Sequence, residues 1–141
     1  MYKMLFATFI ACFAFGCTSI RVEPIRGEEN LSQVCVIEND GVEVYDMVQV
    51  IRGGFERHNI STRALAFPDE SCTHILSYNA KQWWDFTLYM TYADILVENK
   101  DGNKIGYAEY KLRWNGGLSP RKWADTQTKL DPVLDKLLQN Y

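Results

Sequence analysis

The stretch WWDFTLYMTYADILVEN, Trp83 to Asn99, decides how this chain folds. Trp84, Phe86, Leu88, Met90 and Tyr92 alternate with Trp83, Asp85, Thr87, Tyr89 and Thr91. A period of two is the pattern of a β-strand with one apolar face. Past Tyr92 the phase flips: Ala93, Ile95 and Val97 take the apolar positions, and Asp94 and Glu98 the polar ones. A slip of one residue within a strand predicts a β-bulge near Ala93 and Asp94. NKDGNK follows, and its Asp101-Gly102 predicts a hairpin turn. IGYAEYKLRW, Ile105 to Trp114, then returns as the partner strand, with Ala108, Tyr110, Leu112 and Trp114 on one face.

Working outward, the upstream segments complete the sheet. QVCVIEN (Gln33 to Asn39) is short and β-rich, and the NDG after it turns the chain. From Val42 to His58 the pattern becomes helical, with Val44, Met47, Val48, Ile51 and Phe55 on one face. Asp40 is a candidate cap for its start, and Asn59 a candidate left-handed residue at its close. Gly53-Gly54 lacks the Lys and Ser/Thr of a phosphate-binding loop and reads as a close-packing or fraying position. NISTRALAF (Asn59 to Phe67) and CTHILSYNA (Cys72 to Ala80) read as two more strands, separated by PDES. Downstream, Ser119 to Gln127 reads as a short helix anchored by Trp123. Thr128 to Asp131 resembles a capping box for a final helix with a Leu130, Val133, Leu134, Leu137, Leu138 stripe. The sum is an α+β domain of two layers, an antiparallel sheet of about four to five strands with two helices on one face.

The chain has 141 residues, one domain's length, and 47% of them are apolar, which suits a packed core. A net charge of −3 and a pI near 5.4 give no footprint for nucleic acid.

The N-terminus carries an address. Lys3 precedes an uncharged, mostly apolar run from Met4 to Gly16, too short to span a bilayer as a helix, which needs about 20 residues. Ala14-Phe15-Gly16-Cys17 resembles the lipobox of bacterial lipoprotein precursors. The resemblance covers the first seventeen residues. It implies removal of residues 1–16 as a signal peptide, a lipid on Cys17 (a palmitate-type acyl chain included), and anchoring at a membrane. Two or three acyl chains hold a protein at a bilayer, at about 0.8 kcal/mol per buried methylene. Thr18 stands where an inner-membrane retention signal would have Asp, which implies the outer membrane facing the periplasm. Residues 17–32 then read as a flexible tether and residues 33–141 as the periplasmic domain.

Four cysteines are present: Cys12, Cys17, Cys35 and Cys72. Cys12 leaves with the signal peptide and Cys17 becomes the anchor. Cys35 and Cys72 remain for one disulfide in an oxidising compartment, with two separate buried thiols as the alternative. Neither has metal-ligand spacing, and neither a metal nor another cofactor is expected.

The candidate chemistry is sparse. Asp125, Asp131 and Asp135 read as helix-cap and surface carboxylates. A Cys72–His74 nucleophile can be drawn, but the disulfide would consume its thiol. Trp83, Tyr89 and Tyr107 fall on the minority face of the aromatic strands and are the candidate partner surface. The expected function is a non-enzymatic envelope lipoprotein that binds a protein or cell-wall partner. A carrier of small apolar ligands or lipids and a periplasmic hydrolase are the alternatives.

Overall fold

The computed structural model describes residues 18–141. The signal-peptide and lipidation readings, Cys17 included, lie outside the described residues. Six strands form one sheet: β1 (Thr18–Glu23), β2 (Gln33–Ile37), β3 (Ser61–Leu65), β4 (His74–Asp85), β5 (Thr87–Asn99) and β6 (Lys104–Leu112). Their spatial order is β1-β6-β5-β4-β2-β3. Two α-helices, α1 (Met47–Arg57) and α2 (Thr126–Leu137), pack against each other and against the sheet. The α+β class is as expected.

The sheet differs from expectation in two ways. It has six strands, not four to five, and it is mixed, because β2 runs parallel to both β3 and β4. Strand, helix, strand is the order of β2, α1 and β3, and a helical crossover returns the chain in the same direction. The sixth strand is β1. Residues 18–23, read as the start of a flexible tether, pair residue for residue with β6, from Thr18 opposite Leu112 to Glu23 opposite Tyr107. Mixed polarity hid this strand. Ile20 and Val22 alternate with Ser19, Arg21 and Glu23, which suits an edge strand with one wet face.

Register assigns the two faces. Tyr78, Ile95, Ala108 and Val22 lie in one cross-strand row, and Leu76 with Val97 in another. These rows meet Ile51 and Phe55 of α1 and Leu130, Leu134 and Leu137 of α2 in the core. The backbone is approached closely at two glycines. A Cβ on Gly54 would collide with Leu134, and one on Gly106 with Ile25. Gly53 faces open space, so the double glycine is one packing position beside one free one. The opposite sheet face carries the rows Asn79-Asp94-Glu109-Arg21 and Lys81-Tyr92-Lys111-Ser19.

Cys35 and Cys72 are joined, with Cα atoms 5.8 Å apart. The bridge ties β2 to the loop before β4. Helix ends differ in detail from the sequence reading. Asp46, not Asp40, precedes α1, and Asp125 caps α2 by accepting from the Thr128 amide at 2.6 Å. Asn59 takes the left-handed conformation, φ 60°.

Candidate functional site

The long strand expected over Trp83 to Tyr92 is two strands. The chain reverses at Phe86, which stands alone between the registered partners Asp85 and Thr87. Phe86 has φ 63°, a conformation usually left to Gly or Asn. The alternation could not reveal this turn. Trp84 and Leu88 face each other across the hairpin, so they share a face as they would along one straight strand. The bulge exists but comes earlier than expected. Lys81 pairs with Tyr92 and Gln82 with Met90, leaving Thr91 as the extra residue. Tyr89 and Met90, just before the bulge, are both buried.

A second unusual segment meets the hairpin. After β6 the chain makes a short 3-10 turn, Arg113–Gly116, in which Trp114 (φ 48°) and Asn115 (φ 50°) are left-handed. A further 3-10 turn covers Pro120–Trp123 where the short helix was expected. Contacts fasten the two segments together. The Trp123 indole donates to the Asp85 carbonyl at 3.0 Å, and its ring meets Phe86 edge-on at 6.3 Å between centroids. The Tyr89 hydroxyl donates to the Asn115 carbonyl at 3.1 Å.

Two buried lysines hold the assembly from beneath. Lys122 donates to Asp85 Oδ2 at 2.6 Å and to the Gly117 carbonyl at 3.1 Å, and its ammonium lies over the Trp123 and Tyr89 rings. Lys129, in the first turn of α2, donates to the carbonyls of Met90 and Lys122. Lys129 is 5% exposed, and its burial pushes the ammonium pKa down to about 8, against a small opposing effect of Asp125. Buried cations with carbonyl and carboxylate partners form a stiff support.

Above this support lies an apolar surface. Trp83, Trp84, Phe86, Leu88, Trp114, Leu118 and Trp123 are seven of the ten exposed large apolar side chains among the described residues. They include all four tryptophans of the chain. Phe86 is 86% exposed and Trp114 84%.

The three residues singled out from the sequence do not share this surface. Trp83 is exposed on it, but Tyr89 is buried beneath it. Tyr107 lies on the open sheet face, where it donates to Glu109 and sits under Arg21. Trp83, Tyr89 and Tyr107 therefore do not form one exposed surface, which corrects the expectation that they do. The hairpin turn keeps Trp83 and Tyr89 in phase, and the bulge at Thr91 resets the phase for the residues that follow. The sequence places Trp114 on the apolar face of the last strand and Trp123 as an anchor, but Trp114 is almost fully exposed and Trp123 partly so.

The other candidates are placed as follows. Cys72 is in the disulfide and offers no thiol to His74. Asp131 and Asp135 pair with Arg57, and Asp135 also with His58 at 3.1 Å. A concavity of about 690 Å³ runs along α1 between Tyr45, Arg52, Arg57 and Asp125, with charged walls.

No family model and no curated protein sequence matches this chain. Solved structures do. The fold is similar to that of PelC. A methionine-substituted PelC dodecamer from Paraburkholderia phytofirmans superposes with a TM-score of 0.61 at 12% identity, over 84% of this chain and 97% of that one. A second crystal form of the PelC dodecamer gives 0.59 at 10% identity, over 86% and 97%. A minor lipoprotein from Acinetobacter baumannii aligns at 0.35 and 11% identity, over 77% and 86%. The PelC likeness establishes a shared fold.

Proposed function

We propose that this protein is a lipid-anchored module of the bacterial envelope that works by binding rather than by catalysis. One observation carries the reading. Thr18, the residue after Cys17, is already in β1 opposite Leu112. A lipid on Cys17 would hold the domain close to the bilayer, one residue from the start of β1. The disulfide suits an oxidising compartment such as the periplasm. Several large apolar side chains exposed at one end of the sheet are the usual mark of a contact surface. The proposal includes an outer-membrane position facing the periplasm and an envelope protein or cell-wall component as partner.

The fold likeness supports a second element. The PelC chains it resembles form a dodecamer, and self-association of this chain is part of the proposal. Crosslinked purification of the lipidated protein from its own envelope tests both. Recovery of a partner or of a homo-oligomer supports the proposal, and recovery of monomer alone overturns it. A Cys17→Ala chain should leave the membrane fraction. If it stays there at wild-type size, the lipid-anchor reading is wrong.

A further inference from the structure

We infer that the aromatic end is a membrane-docking surface. Its side chains Trp84, Phe86, Leu88, Trp114 and Leu118 enter the lipid–water interface of the same bilayer that holds Cys17. The inference rests on the lipid-anchor reading and names what covers the exposed apolar surface.

Register places Thr18, the residue after the proposed anchor, at the same end of the sheet as the surface. Thr18 opens β1 opposite Leu112, the last residue of β6. Trp114 is two residues further on. β5 enters the sheet from the Phe86 turn at this end, because Tyr92 pairs with Lys111. Consecutive Cα atoms are about 3.8 Å apart, so Cys17 is at most one such step from β1. A bilayer reached by a lipid on Cys17 therefore faces the aromatic end. A protein partner would have to enter between that end and the bilayer.

The chemistry agrees. Tryptophan favours the interface, where the ring body meets acyl chains and the indole N–H meets water or headgroups. The end is also basic. Segments 81–91 and 111–123 expose Lys81, Lys111, Arg113 and Arg121, and their single carboxylate, Asp85, is paired with the buried Lys122, in a chain whose net charge is −3. Lys122 already neutralises Asp85. Anionic headgroups attract such a cluster. Glu43, which reaches Gln82 at 3.5 Å, is on the loop that leads into α1. The left-handed backbone at Phe86 and Trp114 holds two large rings out in solvent, an arrangement that costs energy until something covers them.

The test uses the lipidated protein in vesicles of phosphatidylethanolamine and phosphatidylglycerol, with brominated acyl chains as quenchers. Tryptophan emission should shift to the blue, be quenched by shallow bromines and lose its accessibility to aqueous iodide. The double variant Phe86→Asn, Trp114→Asn keeps three tryptophans as reporters, and Asn tolerates the left-handed backbone. It should still float with vesicles through its anchor and keep its melting temperature, but lose most of the bromolipid quenching. Wild-type tryptophans that float with vesicles yet stay open to iodide and untouched by bromolipid would overturn the inference and leave the anchor standing. Mass spectrometry of residue 17 reads the anchor separately. If residue 17 carries no lipid, the anchor reading falls, and docking is then decided by whether the chain co-floats in a Phe86- and Trp114-dependent way.

Discussion

Lys122 and Asp85 meet at 2.6 Å, one from the second 3-10 turn and one from the tip of the β4–β5 hairpin, and the Lys122 side chain is only 9% exposed. The contact joins segments 37 residues apart. Lys122→Met should leave Asp85 unpaired and release the hairpin tip. Breaking a buried pair costs about 3–5 kcal/mol, but the Asp85 side chain is 37% exposed, so about 1–3 kcal/mol is expected after solvent screening. Urea unfolding checks the size. An unchanged midpoint would show that the pair contributes nothing.

Lys129 gives a pH signature. Burial lowers its folded pKa to about 8, below the ordinary 10.5. Below pH 8 both the folded and unfolded chains hold the proton, and the full burial penalty applies. Between pH 8 and 10.5 the unfolded state binds more protons, so this group's contribution to stability becomes more favourable as pH rises. Above 10.5 the penalty is gone. Wild type should therefore gain on Lys129→Met across that window, by on the order of 2–3 kcal/mol. Parallel melting of the two proteins from pH 7 to 10.5 would refute this if their difference stayed flat.

The double glycine of α1 supplies a paired experiment. Gly53→Ala meets open space and should stabilise the helix by about 0.5–1 kcal/mol. Gly54→Ala drives a methyl into Leu134 and should destabilise by about 1–3 kcal/mol. Equal effects at the two positions would contradict the close helix contact.

Removing the bridge with Cys35→Ala and Cys72→Ala should cost about 2–4 kcal/mol, chiefly by freeing the unfolded chain. Denaturant titration of the double variant against oxidised wild type measures it. A matching midpoint would mean the bridge contributes little to the fold.

The sequence made some of this legible for physical reasons. Asp101-Gly102 marks its hairpin because a turn there needs positive φ, and Gly102 has φ 77°. The leucine stripe of α2 marks a buried face, and Leu130, Leu134 and Leu137 are buried. The Cys35–Cys72 pairing followed from counting. Other features had no local signal. Phe86 turns the chain without a turn residue, because Trp123 and Lys122 hold it from elsewhere in the sequence. Thr18 to Glu23 looked like a linker because an edge strand needs only one apolar face and borrows its order from β6. The aromatic surface is assembled from segments about thirty residues apart, and no periodicity reports that.

The pairing of β1 with β6 has a mechanical consequence. A pull applied at the start of β1 along the strand axis would act on the whole β1–β6 ladder. It loads the six registered pairs from Thr18–Leu112 to Glu23–Tyr107 in shear, all together. Peeling would instead break them one after another from an edge. The whole length of the first strand would resist such a pull.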